Sequence, residues 1–153
     1  MRWFSTRHGW HRPMDKKNYK ESYQEYLEVI LRITKDKESK DAFINNAEIA
    51  AAMGVKPPSV TEFLAKLQKE GLIEYEKRQG VRLTAKGFEL GTKVLGMHHL
   101  LELFFTKVLE LDDKVLKHRL ACDIEHHLMS EPRLVNALEK SIKKVEGAPP
   151  SQS

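Results

Sequence analysis

The spacing of hydrophobic and polar residues in the first part of the chain predicts short amphipathic helices. Apolar residues recur every three or four positions between Tyr23 and Ile33, which predicts a helix over residues 20–35. Asn45 and Glu48 have the spacing of a capping box, and Gly54 is a typical helix stop. A second, shorter helix is therefore predicted to end at this glycine.

A third helix is predicted directly after the turn at residues 54–56. Pro57 and Pro58 are tolerated in a first helical turn, and Gly71 ends the pattern. The buried stripe of this helix comprises Val60, Phe63, Leu64 and Leu67. Two short helices around a tight turn that contains glycine are typical of the helix-turn-helix motif.

Alternating apolar and charged residues predict a β-hairpin next. The alternation covers residues 73–77 and 81–83, with a turn at residues 78–80. A hairpin directly after a helix-turn-helix is a wing. The predicted fold class is therefore mainly α with a small β-hairpin wing, in which an N-terminal winged helix-turn-helix precedes an all-helical domain.

The second half of the chain predicts three more helices. Thr84 caps a long one, and Asp112 or Asp113 begins another that reaches about residue 129. Residues 130–132 cap the last helix. Three glycines weaken the long helix, and a bend is expected between residues 91 and 96; these glycines are Gly87, Gly91 and Gly96.

The predicted organisation has four parts. Residues 1–19 form a basic flexible arm, residues 20–86 the winged helix-turn-helix domain, residues 87–146 the helical domain, and residues 147–153 a disordered tail. The arm is interpreted either as a DNA-backbone contact or as a loosely packed extension.

Composition and charge narrow the classes of protein. One cysteine excludes a disulfide framework and fits a reducing cytosol. No apolar run approaches the about 20 residues of a bilayer crossing, so a membrane-spanning protein is excluded. The net charge is +4, but residues 1–20 alone hold six basic residues against one acidic residue. Net charge is therefore weak support for DNA binding, which rests on the helix-turn-helix and the wing.

The second helix of a helix-turn-helix lies in the major groove with its N-terminal residues towards the base edges. A wing tip suits phosphate or minor-groove contact. The predicted DNA-binding residues are Lys56, Pro57, Pro58, Ser59, Thr61, Glu62, Lys66, Arg78 and Gln79. The other interpretation is that the helix-turn-helix is a protein-binding module.

Histidines and carboxylates recur at helical spacing in the second half. Four residues of the helix predicted over residues 112–129 share one face; they are His118, Cys122, Glu125 and His126. His127 points about 100° away and is left out of this group. His98 and Glu102 share a face of the preceding helix, as Glu25 and Glu28 do on the first helix. Such donors suit Mn²⁺, Fe²⁺, Co²⁺ and Zn²⁺, whereas ordinary surface hydrogen bonds are the simpler interpretation.

The layout resembles the metal-dependent transcriptional repressors of the diphtheria toxin repressor and manganese transport regulator type. The resemblance covers residues 20–145, and its segments are residues 25–30, 57–61, 83–87, 98–102 and 122–126. It implies a homodimer of winged-helix proteins joined through the C-terminal helices, with metal binding and dimerisation in residues 87–146.

The resemblance also carries metal-ligand roles onto Glu25, Glu28, His98, Cys122, Glu125 and His126. It makes Glu102 and His118 candidates for an ancillary site. Manganese-type members usually have Asp at position 25 and often Glu at 122, whereas iron-type members have Met and Cys there. The sequence is thus a hybrid, in which Cys122 could ligate through its sulfur or its backbone oxygen. The third, SH3-like domain of the iron-type members is missing from the chain.

These features predict a cytoplasmic repressor of metal-uptake genes, activated by Mn²⁺ or alternatively Fe²⁺, that binds a palindromic operator as a homodimer. Other divalent transition metals are expected to bind in vitro. Metal would relieve the repulsion among the clustered carboxylates and pin the first helix to the dimerisation helices. Neither a membrane nor a small organic substrate is expected as a partner, and no enzymatic activity is expected. The alternatives are a metal-independent winged-helix regulator and, on the likeness of residues 122–126 to an inverted zinc-protease motif, a metal-dependent hydrolase.

Overall fold

The computed structural model describes residues 4–6, 9–11 and 19–148. Its elements are β1 (Phe4–Thr6), β2 (Gly9–His11), α1 (Tyr19–Asp36), α2 (Asn46–Met53), α3 (Pro57–Lys69), β3 (Ile73–Glu76), β4 (Gly80–Leu83), α4 (Ala85–Lys107), α5 (Lys114–Leu128) and α6 (Pro132–Glu146). The chain divides into two compact units, Met1–Val94 and Leu95–Ser153, and the division falls inside α4.

The helix-turn-helix of the first unit forms as the local sequence predicts. The Asn45 side chain accepts a hydrogen bond from the Glu48 amide at 2.9 Å, and the Glu48 carboxylate accepts one from the Asn45 amide at 3.0 Å. Gly54 ends α2 in the left-handed conformation with φ 66°. The ring of Tyr26 on α1 stacks on Phe63 of α3, with centroids 4.4 Å apart, so aromatic packing joins these two helices.

The wing is an antiparallel pair in which Ile73 lies opposite Leu83. Arg78 at its tip has a positive φ of 71°, which is uncommon for a residue with a side chain. A third segment joins the wing through an isolated bridge between Ile44 and Val81, which was not predicted from the sequence. Gly80 allows this pairing, because a Cβ there would lie 2.1 Å from the Ile44 carbonyl oxygen.

The glycines of α4 have different surroundings. A Cβ on Gly87 would lie 1.9 Å from the Leu72 carbonyl oxygen, and one on Gly91 would lie 3.2 Å from that of Leu27. Both positions therefore permit a close approach of two backbones. A Cβ on Gly96 would meet nothing within 4 Å. The helix continues through all three glycines, and Thr84 caps it with its hydroxyl 3.1 Å from the Gly87 amide.

In the second unit, Asp113 caps α5 by accepting a hydrogen bond from the Leu116 amide at 2.9 Å. The start of α6 falls within residues 130–132, as predicted. Ser130 donates its hydroxyl to the His127 carbonyl oxygen at 3.2 Å, and Glu131 occupies the N-cap position. The core of this unit is built on Leu101, Phe105, Ala121, Leu128 and Leu138.

Part of the segment predicted as a flexible arm is paired. β1 and β2 form an antiparallel pair in which Phe4 lies opposite His11. The periodicity of the sequence did not predict these strands. The rest of the arm before residue 19 and residues 149–153 of the predicted tail lie outside the described residues. Within the described part of the chain, no helix is long and apolar enough to cross a membrane.

Candidate metal centre and nucleic-acid interface

Six of the predicted metal-site residues lie on two helices of the second unit. His98 and Glu102 are one turn apart on α4, and the other four share the predicted face of α5: His118, Cys122, Glu125 and His126. His98 and Glu125 are each only 1% exposed. His127 was predicted to point away from this face, and its side chain is exposed.

The buried imidazole of His98 is at the centre of this group. Its Nδ1 lies 2.6 Å from a Glu125 carboxylate oxygen. Its Nε2 lies 3.1 Å from Glu102 Oε1 and 3.1 Å from His118 Nδ1, and these last two atoms are 3.3 Å apart. Three donor atoms thus form a small triangle with sides of nearly equal length.

This triangle fits a divalent cation. Neighbouring ligands of an octahedral ion at about 2.1 Å are about 3.0 Å apart, and those of a tetrahedral ion are about 3.4 Å apart. If the Nδ1 proton of a neutral His98 is donated to Glu125, the Nε2 lone pair faces the Glu102 carboxylate. Such a contact is repulsive unless a proton or a cation lies between the two atoms.

In the other protonation state, with protons on His98 Nε2 and His118 Nδ1, both imidazoles donate to the Glu102 carboxylate. Hydrogen bonds from His118 first, and then from His98, hold the pKa of its carboxyl group well below the ordinary value, against the effect of partial burial. Glu102 therefore remains a carboxylate at neutral pH. It is the most exposed member of the triangle, with 34% of its side chain accessible.

Cys122 lies on the opposite side of the two imidazoles from Glu102. Its Sγ is 3.6 Å from His118 Nε2 and 3.8 Å from His98 Nδ1. His126 is a neighbour of the group through Glu125, whose Oε1 is 3.6 Å from His126 Nε2. The sulfur of Cys122 is therefore close enough to act as a donor together with the imidazoles.

The two predicted ligands of the first helix lie in the first unit. Glu25 is half-buried, and Glu28 is only 3% exposed. The Arg32 guanidinium donates two hydrogen bonds to the Glu28 carboxylate, at 3.0 Å from Nε and 2.5 Å from Nη2. Arg32 was not among the predicted site residues, although its position one turn after Glu28 is typical of an ion pair.

The predicted DNA-binding residues form an exposed surface on α3 and the wing tip, with only Lys66 half-buried. The side chains of three of them, Thr61, Glu62 and Lys66, contact other groups of the protein. The Thr61 hydroxyl donates to the Pro57 carbonyl oxygen at 3.2 Å and accepts from the Asn46 side chain at 3.0 Å. Lys66 contacts the Glu62 carboxylate at 3.3 Å. Asn46, which is not among the predicted residues, thereby links α2 to the start of α3.

Two family models match the chain. The iron dependent repressor N-terminal DNA binding domain matches residues 19–81, and the iron dependent repressor metal binding and dimerisation domain matches residues 84–152. The chain therefore belongs to this family of metal-dependent, DNA-binding transcriptional repressors. The resemblance to the diphtheria toxin repressor and manganese transport regulator type is thereby confirmed, as is the predicted fold class.

Individual relatives agree with this assignment. An uncharacterised HTH-type transcriptional regulator of Methanocaldococcus jannaschii is 35% identical over 127 residues, which are 82% of this chain and 98% of that protein. The HTH-type transcriptional regulator MntR of Bacillus subtilis is 34% identical over 107 residues, which are 70% of this chain and 71% of that protein.

Solved structures show the same fold. The manganese regulator SloR is 30% identical with a TM-score of 0.63, and the match covers 79% of this chain and 53% of that chain. A manganese-dependent transcriptional repressor in complex with manganese is 26% identical with a TM-score of 0.65, covering 79% of this chain and 52% of that one. The chain thus spans about half the length of these two structures.

Proposed function

We propose that the chain is a repressor of metal-uptake genes, activated by Mn²⁺ with Fe²⁺ as the alternative, that binds a palindromic operator as a homodimer in the cytoplasm. The observation that carries the proposal is the His98 triangle with Glu102 and His118, whose separations suit a divalent ion. The same chain carries a winged helix-turn-helix with an exposed α3. We propose no catalytic role for His98, Glu102 or His118.

The proposed metal ligands are Glu25, Glu28, His98, Cys122, Glu125 and His126, with Glu102 and His118 as ancillary ligands. Carboxylate and imidazole donors together suit Mn²⁺ and Fe²⁺. A bound divalent cation would supply positive charge that relieves the repulsion among these carboxylates. His98 is oriented for this role because its Nδ1 can donate to the buried Glu125 carboxylate, which leaves Nε2 as an electron-pair donor.

The proposed DNA contacts are those of α3 and the wing. Lys56, Ser59 and Thr61 lie at or near the N-terminus of α3, where a recognition helix faces the base edges. Arg78 and Gln79 at the wing tip suit phosphate contact. In a homodimer, two such helices would read half-sites about one helical turn apart.

The proposed regulation requires that metal favours the DNA-competent state over the other states of the protein. Glu28 is held by Arg32 in the structure described here. If Glu28 binds metal, its carboxylate must either release the Arg32 guanidinium or bind the guanidinium and the metal together. The proposed ligands come from α1 as well as from α4 and α5. Because α1 packs on α3, metal binding by Glu25 and Glu28 would act on the helix that supports the proposed DNA contacts.

The test is DNA binding measured by fluorescence anisotropy under anaerobic conditions. Duplexes are selected in parallel from a random-sequence library with Mn²⁺, with Fe²⁺ and with a chelator. We expect tight binding with metal, weak binding in chelator, and loss of the metal effect in His98→Ala. His127→Ala is the matched control, since this neighbouring histidine is exposed and lies outside the group.

Equal operator affinity in chelator and in either metal would refute metal activation and favour a metal-independent regulator. Loss of the metal effect in both histidine variants would also count against the proposal, because it would not depend on His98. Turnover of a hydrolase substrate by the metal-loaded protein would instead favour the enzyme alternative.

A further inference from the structure

The hydroxyl group of Thr61 on α3 is occupied by partners within the protein. It donates its hydrogen to the Pro57 carbonyl oxygen, one turn earlier in the helix, at 3.2 Å. It also accepts a hydrogen bond from the Asn46 side-chain amide at 3.0 Å. A threonine hydroxyl has one hydrogen to donate. In this arrangement Thr61 therefore has no hydrogen left for an acceptor atom on a DNA base.

Asn46 holds this arrangement from the neighbouring helix. It is the first residue of α2, and its side chain is half-buried. Because the Thr61 hydrogen goes to the Pro57 carbonyl, only the amino group of the Asn46 amide, and not its oxygen, fits against the Thr61 oxygen. The hydroxyl and the methyl group of threonine branch from the same Cβ, so fixing the hydroxyl also fixes the methyl group.

The surroundings of Thr61 on the outer side of α3 are apolar. Pro58 lies three positions before it and Ala65 four positions after it, so the three residues share one face of the helix. All three are exposed. Neither proline nor alanine has a hydrogen-bonding group in its side chain. With its hydroxyl occupied, Thr61 adds a methyl group to this face.

We infer that Thr61 recognises DNA through its methyl group, which contacts the C5 methyl group of thymine in the major groove, and that Asn46 is the positioning residue that holds its hydroxyl within the protein. The inference rests on the proposed function, in which α3 is the recognition helix. Thymine presents a methyl group in the major groove that no other base has, and the threonine methyl is one of the apolar groups that suit it.

The test replaces each thymine of the operator selected from the random-sequence library, one at a time, by deoxyuridine, which lacks only the C5 methyl group. Affinity of the full chain is measured by fluorescence anisotropy in the metal condition that gives the tightest binding. At one or more thymines of each half-site, the replacement should lower the affinity about fourfold, the effect expected for one buried methyl group.

Two substitutions of Thr61 separate its methyl group from its hydroxyl. Thr61→Ser keeps the hydroxyl and removes the methyl group, so the preference for thymine over deoxyuridine at that position should disappear. Thr61→Val keeps a methyl group and removes the hydroxyl, so the preference should remain. Serine and valine thus give opposite results if the methyl group makes the contact.

Asn46→Ala tests the positioning role. Without the amide, the Thr61 side chain is free to rotate about its Cα–Cβ bond, and the ratio of the affinities for thymine and deoxyuridine should fall towards one. A loss of stability alone would lower both affinities and leave their ratio unchanged. Gln68→Ala is the matched control, because it removes an exposed side-chain amide from α3 and should keep the ratio of the parent. Thermal melting checks that each variant is folded.

The outcomes distinguish this inference from the proposed function. No effect of deoxyuridine in the parent, its persistence at every thymine in Thr61→Ser, or its loss in Thr61→Val would each overturn the methyl contact. An unchanged ratio in Asn46→Ala would overturn the positioning role. Operator affinity that is independent of metal would refute the proposed regulation and leave this inference standing, whereas the absence of any preferred duplex would refute both.

Discussion

Gly87→Ala should destabilise the DNA-binding unit, although alanine favours a helix more than glycine does. Gly87 lies in the first turn of α4, and a Cβ there would be 1.9 Å from the Leu72 carbonyl oxygen and 2.9 Å from its carbon. The same carbonyl accepts a hydrogen bond from the Thr84 amide at 3.1 Å. The new methyl group therefore cannot be accommodated without separating the helix from the start of the wing.

The size of the effect follows from two opposing contributions. Alanine lowers the backbone entropy cost and gains about 0.5–1 kcal/mol in a helix interior. Overpacking against a fixed backbone costs about 1–3 kcal/mol or more. A net destabilisation of about 1–2 kcal/mol is expected, because the obstacle is a carbonyl group rather than a flexible side chain. For a unit of this size, each kcal/mol corresponds to about 4–8 °C in Tm.

Gly96→Ala in the same helix is the matched control. Its Cβ would meet nothing within 4 Å, so it should stabilise the protein by about 0.5–1 kcal/mol. The measurement is urea denaturation followed by circular dichroism, with midpoints compared at equal slopes. If Gly87→Ala is as stable as the parent or more stable, the close approach of α4 to Leu72 is refuted. DNA affinity of Gly87→Ala should also fall, because the displaced wing carries proposed contacts.

Three further outcomes are expected. Tyr26→Phe should raise the free energy of unfolding by about 1 kcal/mol, since the buried Tyr26 hydroxyl has no hydrogen-bond partner among the described residues; an unchanged or lower Tm would contradict this. Arg32→Gln should lower the Tm of the metal-free protein by removing about 1–3 kcal/mol, because it leaves the buried Glu28 carboxylate without its guanidinium; an unchanged Tm would show that the pair contributes little. A hydrogen bond from Lys37 is the main cause of the lowered pKa of Glu48. The ionised Glu48 carboxylate therefore stabilises the folded protein above its unfolded pKa, and this stabilisation is lost as the pH falls through the lower folded pKa. Lys37→Met should make the free energy of unfolding depend less on pH in this acidic range, as measured by urea denaturation at several pH values.

Local signals predicted the helix boundaries and the faces of the candidate site. The capping box of Asn45 and Glu48, the glycine stop at Gly54 and the Thr84 cap involve residues only a few positions apart, so the sequence specifies them directly. The shared face of α5 follows from the helical repeat in the same way.

Contacts between segments far apart in sequence could not be predicted from these local patterns. The bridge from Ile44 to Val81 joins residues far apart in sequence, and it has no periodic pattern of its own. The side of the imidazole pair that faces Cys122 depends on how α4 and α5 pack, which helical spacing alone does not determine. Arg32 could have been found from its spacing to Glu28, but exposed pairs with this spacing are common and usually weak.

At Arg78, the residue that would stabilise the wing best differs from the residue that its proposed DNA contact requires. A residue with a side chain costs about 1–2 kcal/mol in the left-handed conformation of Arg78, and glycine would avoid most of that cost. Yet glycine would remove the Arg78 cation from the turn between β3 and β4, where the proposed phosphate contact lies. Libraries selected for heat resistance should therefore accumulate glycine or asparagine at position 78, whereas libraries selected for repression should retain arginine. The identity of this one residue would record which selection acted.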